Sequence, residues 1–109
     1  MKRYAYFFTR QDISPEQQIV QTAHAAMKLG FNLNEQEDPN STYFTVIGVR
    51  NREALSAVDE IVSAFGFKYE AFVEPDLNGG EVTSLALYPV AEDKRGILLA
   101  FNLLSIGRK

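Results

Sequence analysis

One polar row has the residue types and spacing for chemistry: Gln17, Gln21, His24 and Lys28, at intervals of four, three and four. On a helix those intervals stack side chains along one face. Two amides and an imidazole there offer donors and acceptors to a base or a ribose edge. Just upstream, the turn Arg10-Gln11-Asp12 adds a guanidinium that can meet a phosphate with two parallel N–H bonds. Downstream, Glu74, Asp76 and Glu81 read as a solvated acidic turn, and Thr83 as a hydroxyl on an apolar strand. Other chemistries are closed. There is no cysteine and His24 is the only histidine, so neither a thiolate nucleophile nor a Cys/His metal set can be assembled. No metal and no cofactor are expected. The pair Gly79-Gly80 reads as a hairpin turn, not as a phosphate loop.

These residues need elements to hold them. Ser14 is a good N-cap, Pro15 suits the first helical position, Gln17 completes a capping box, and Gly30 sits where helices commonly exit. Ile19, Ala23 and Met27 recur at four-residue spacing and are expected to face a core. Before this helix, residues 4–9 are aromatic and apolar at consecutive positions, the pattern of a strand covered on both faces. After it, residues 31–41 read as a loop and 43–49 as a second buried strand. Asn51 caps a second helix, whose stripe Leu55, Val58, Ile61, Val62 and Phe65 should be buried, and Gly66 ends it. Residues 68–73 form a third strand, 74–80 a turn, and 81–88 a fourth strand stopped by Pro89. Ile97, Leu98, Phe101 and Leu104 keep helical spacing in the tail from residue 92, weakened by Gly96.

That order predicts an α/β fold: a small mixed four-stranded sheet with helices on both faces. The two strand–helix–strand units imply parallel strands, and the short turn at 74–80 makes the fourth strand antiparallel to the third. In such sheets ligands gather outside the carboxyl ends of parallel strands, and the first strand ends at Thr9, just before Arg10. Gln17, Gln21 and His24, with Arg10 and Asp12, should therefore line one pocket, with Asp76 and Thr83 opposite.

The 109 residues make one domain, with a hydrophobic fraction of 46% and a charged fraction of 23%, ordinary for a globular protein. No secretory pattern and no bilayer-length apolar run is present, so a cytoplasmic protein without a membrane partner is expected. Net charge is −3, which disfavours holding long polynucleotides through phosphate contacts. A ligand of one to three nucleotides fits that balance better.

Several motifs, in this order, resemble those of the type II peptidyl-tRNA hydrolase family. Arg10-Gln11-Asp12-Ile13 is similar to its R-x-D-L, and Gln21-Thr22-Ala23-His24-Ala25 to its Q-x-A/S-H-A on the first helix. Residues 46–73 have the family's run of strand, E-x-L helix, Gly and strand. Asp76 falls near its loop aspartate, and residues 83–89 resemble its T-V-L-G-I-G-P strand. The resemblance covers nearly the whole chain. It implies that fold, and a cytoplasmic enzyme that cleaves the ester joining a peptide to the 3′ ribose of tRNA, without a metal. It would make Asp76, Thr83 and His24 the catalytic set, and Arg10, Asp12, Gln17, Gln21, His24 and Lys28 the ligand contacts.

The departures shape the functional expectation. Counting back from His24, the family's essential helix lysine falls at Gln17. Loss of an electrostatic group of that kind costs roughly 2.7–4 kcal/mol of barrier in oxyanion-type cases. Lys28 and Arg10 are candidate substitutes, although Lys28 lies about 16 Å along the helix from Gln17 at ~1.5 Å per residue. The loop motif D-x-G-x-T is also altered, since Asp76 precedes Leu77, Asn78 and two glycines, and Thr83 keeps only its second threonine. The expectation is a nucleotide-binding protein on this scaffold, catalytically silent and homo-oligomeric. Such a small acidic chain would suit a phage accessory protein that sequesters a nucleotide signal. The alternative is an active peptidyl-tRNA hydrolase, bound to the tRNA 3′ end through rearranged phosphate contacts.

Overall fold

The structure, a computed structural model, describes residues 2–33 and 39–101. The elements run β1 (Arg3–Arg10), α1 (Pro15–Asn32), β2 (Thr42–Val49), α2 (Arg52–Ala64), β3 (Tyr69–Glu74), β4 (Glu81–Leu87) and β5 (Val90–Ala91), with short 3-10 turns at Pro39–Ser41, Glu92–Lys94 and Gly96–Ala100. The sheet order is β2-β1-β4-β3, and β5 pairs with the start of β1. β1 and β2 are parallel, and β4 is antiparallel to both β1 and β3. A mixed α/β sheet with a helix on each face is therefore present, with a fifth short strand added. Because β1 and β4 lie between them, β2 and β3 share a direction without being neighbours.

β1 is central, and residues 4–10 are all buried. Its alternation divides the interior. Tyr4, Tyr6 and Phe8 face α2 and pack with Leu55, Val58, Val62, Leu85 and Leu87. Ala5 and Phe7 face α1 and meet only Ala25, Leu29 and Ala86 as fully buried apolar partners. The α2 side is closed further by Leu98 and by Phe101, whose ring stands edge-on to Phe8 at 5.1 Å.

α1 presents a different face from the one its apolar spacing predicts. Gln18, Gln21, Ala25 and Leu29 are buried, while Ile19 and Met27 are 58% and 62% exposed and Ala23 is exposed too. The physical reason lies beneath the helix: Thr9, Thr83 and Ser84 on the sheet are fully buried. An apolar stripe would leave those hydroxyls without partners, which costs about 1–3 kcal/mol each. The amides and Thr22 satisfy them instead. Ser14 caps α1 as expected, accepting from the Gln17 N–H at 3.2 Å. Gly30 does not stop the helix, which runs on to Asn32 with the Leu33 N–H donating to the Gly30 carbonyl.

α2 keeps its expected caps, with Asn51 accepting from the Ala54 N–H at 3.0 Å and Gly66 left-handed at φ 79°. Leu55, Val58 and Val62 are buried, but Phe65 is 61% exposed and Ile61 lies at the surface. Phe65 is the helix C-cap, its N–H still bonded to the Ile61 carbonyl at 3.1 Å, and Phe67 packs on the core in its place. In the tail, 3-10 turns replace the expected helix over the described part; Leu104 lies outside the described residues.

Candidate binding cleft between α1 and the β3–β4 turn

The β3–β4 ladder contains a register shift: Phe72 pairs with Ser84 and Val73 with Val82, leaving Thr83 as an extra residue. Regular alternation would put Thr83 on the face of Leu85 and Leu87. The bulge turns it to the α1 side, the re-aiming that bulges commonly perform near sites. There its hydroxyl donates to Gln21 Oε1 at 2.7 Å. Gln21 Nε2 donates to Glu74 Oε2 at 2.9 Å and to Gln17 Oε1 at 3.1 Å. Chemistry forces this orientation of the amide. A carboxylate only accepts, so the NH2 must face Glu74, and Thr83 must then give its hydrogen to the amide oxygen. Glu74 Oε1 accepts from the Asp76 backbone N–H at 3.1 Å. The bond from Gln21, that backbone N–H and nearby His24 hold the Glu74 carboxyl below the usual range, so it is anionic.

A cleft of about 410 Å³ opens over this chain of bonds, lined by Gln17, Gln21, Glu74, Asp76 and Thr83 with Ile13, Val20 and Leu77 as its apolar walls. It lies past the carboxyl ends of β1 and β3, where the topology predicts a site. Gln17, Gln21, Asp76 and Thr83 are thus brought together. His24 and Lys28 are not among the lining residues. They continue the same row along the α1–β3 seam, where the His24 ring lies flat on Phe72 at 4.7 Å and Lys28 Nζ donates to the Ala71 carbonyl at 2.8 Å.

Arg10 and Asp12 also stand apart from the cleft. Arg10 is buried and makes four hydrogen bonds: Nε and Nη2 to the two oxygens of Asp12 at 2.9 and 2.8 Å, and Nη1 to Glu81 Oε1 at 2.7 Å and to the Val82 carbonyl at 3.3 Å. Two carboxylates raise the guanidinium pKa, and its bond to Asp12 lowers that carboxyl. Glu81 is lowered as well, by Arg10 and then Asn78. Four of the five Arg10 N–H donors are taken inside the protein, and Arg10 is not among the residues that line this cleft. Glu74 and Glu81 are likewise not a solvated acidic turn: each accepts from specific partners.

A second set of polar groups, which sequence reasoning missed, lies under α1. Thr22 Oγ1 donates to the Gln18 carbonyl at 2.7 Å, so the hydrogen between Thr9 and Thr22 (2.6 Å) comes from Thr9, and Ser84 donates to Thr9 at 2.5 Å. Gln18 Nε2 donates to the Ile13 carbonyl at 3.0 Å, and its Oε1 is buried without a hydrogen-bond partner. A polar i, i+3, i+4 set in Gln18, Gln21 and Thr22 was the available signal.

The arrangement can bind, but it is poorly arranged for nucleophilic attack. Thr83 gives its proton to an amide oxygen, which is no base, so its hydroxyl is not activated. Among the described residues no group of three or more His, Cys, Asp or Glu could hold a metal.

No protein-family model and no curated protein matches the sequence. Among solved structures, the chain is similar to a protein of unknown function from Agrobacterium tumefaciens, with a TM-score of 0.66 at 14% identity, covering 96% of this chain and 99% of that one. At that identity the likeness shows a shared fold. No helix among the described residues is long and apolar enough to cross a membrane.

Proposed function

We propose that this chain is a binding protein whose cleft beside α1 takes the uncharged end of a nucleotide, base and ribose, without cleaving it. The observation that carries this reading is the run Thr83–Gln21–Glu74, in which both Gln21 donors and its acceptor are used. A rigid wall of that kind leaves the Thr83 oxygen, the Gln17 amide and the Glu74 and Asp76 carboxylates to meet ligand N–H and O–H groups, while Ile13, Val20 and Leu77 cover a ring face. Among the described residues the lining holds two carboxylates and no cation, so a phosphate would point away from it. Resemblance to the type II peptidyl-tRNA hydrolases supports an adenosine end, as at the tRNA 3′ terminus. Gln17 in place of the family's lysine supports silence. Sequestration of a nucleotide signal in the cytoplasm is the role such a protein would fill.

Self-association belongs to the same reading. Ile19 and Met27 stand exposed on α1, with no charged residue from Gln17 to Met27, a composition typical of paired surfaces. Sedimentation of the parent and of Met27→Lys tests it, with a lighter species expected for the variant.

One observation favours the second reading, an active peptidyl-tRNA hydrolase: the bulge places Thr83 in the same cleft as Asp76. A turnover assay on peptidyl-tRNA separates the two. Binding of deacylated tRNA or adenosine with the ester left intact supports the first. Efficient turnover, lost in Asp76→Ala or Thr83→Ala, would establish the second.

A further inference from the structure

A second groove opens at the other end of the sheet, where β1 and β3 begin and β4 ends. It measures about 590 Å³, and among the described residues its lining includes Arg3, Lys68 and Lys94 and no acidic residue. The cleft beside α1 has the reverse balance among the described residues, with Glu74 and Asp76 and no basic residue. A chain with a net charge of −3 has thus gathered three cations around one concavity. Two of them are positioned. Arg3 Nη2 donates to the Pro89 carbonyl at 3.0 Å, and Lys68 Nζ lies 4.5 Å from the centroid of the Tyr88 ring. Glu70, on the neighbouring strand, accepts from the Tyr88 hydroxyl at 2.6 Å.

The same lining carries Phe65, the residue that helical spacing assigns to the core and that the structure leaves mostly exposed. The core does not need it, because Phe67 closes that corner. An accessible ring beside fixed cations suits a molecule with a planar ring and an anionic group: the rings stack, and charge-assisted hydrogen bonds take the anion.

We propose that this groove binds a free mononucleotide, its base on Phe65 and its phosphate among Arg3, Lys68 and Lys94. This goes beyond the reading of the cleft and does not rest on it, since the cleft takes an uncharged end and the groove requires the phosphate.

Calorimetric titration of the whole chain with adenosine monophosphate, in excess adenosine, tests the proposal. Adenosine fills the cleft if that site exists, and if it does not, the groove is still read alone. The expected result is binding that weakens about tenfold in Lys68→Gln/Lys94→Gln and again in Phe65→Ala, the scale of losing a charge-assisted bond. All three substituted residues are exposed, and circular dichroism checks that the variants stay folded. Inorganic phosphate alone should bind at least about tenfold more weakly than the nucleotide. The proposal is overturned by an absence of binding, by equal binding to parent and groove variants, by phosphate binding as well as the nucleotide, or by binding that Gln21→Ala abolishes and the groove variants do not.

Discussion

The two faces of the sheet are built on different principles. On the α2 face, Tyr6, Phe8, Leu85, Leu87 and Val62 are almost completely buried and pack apolar against apolar. On the α1 face, the apolar cluster is small, and the first half of the helix sits on Thr9, Thr83 and Ser84 through amides and a hydroxyl. The difference separates an apolar source of stability from a polar, hydrogen-bonded floor. Apolar burial on one face stabilises the domain, so the other can keep a polar, hydrogen-bonded floor that opens into a cleft.

The largest effect that would sharpen this contrast is expected from Phe8→Ala. Its ring is buried against the α2 side and Phe101, and truncation should cost about 3–5 kcal/mol in a denaturant melt. A cost near that of a surface substitution would mean the dry face is not the main source of stability. On the α1 face, Thr9→Val keeps the shape and removes the hydroxyl between Ser84 and Thr22. It should cost about 1–3 kcal/mol by leaving the buried Ser84 without its acceptor. If Thr9→Val is neutral, the floor under α1 is not held by that network. Phe65→Ala should cost under ~1 kcal/mol, because the ring is already outside the core.

A pH series makes a smaller, signed prediction. Glu74, Asp12 and Glu81 are all lowered from their ordinary values by their hydrogen-bond partners. The stabilisation they contribute is complete above the ordinary carboxylate range of about 4 and is lost as pH falls through the lowered native values. Thermal melts should therefore drop on acidification below that range, and the Glu74 part of the drop should shrink in Gln21→Leu, which removes its first partner. An identical acid profile in Gln21→Leu would show that Gln21 does not set the Glu74 titration.

Much of this was legible in the sequence. Ser14, Asn51 and Gly66 mark helix ends by local chemistry, and the structure uses all three. The short turn before Glu81 made β4 antiparallel to β3, as found. Gln17 and Gln21 were readable as candidates from helix spacing and topology, and Asp76 and Thr83 from the motif resemblance. What was not legible depends on contacts between distant segments. The burial of Gln18 and Gln21 instead of Ile19 and Met27 follows from hydroxyls on β1 and β4. The pairing of Arg10 with Glu81 joins residues 71 positions apart in sequence. The bulge at Thr83 leaves no mark in the alternation of β4, and nothing in the helical spacing shows that Phe67 instead of Phe65 packs on the core.

The central claim is that the polar face exists to hold a ligand, and the most direct test is adenosine binding to the parent and to Gln21→Leu, with folding of both verified first. The parent should bind and Gln21→Leu should lose about tenfold or more in affinity, since the variant leaves Glu74 and Thr83 without their shared partner. Equal affinities in two folded proteins would contradict it.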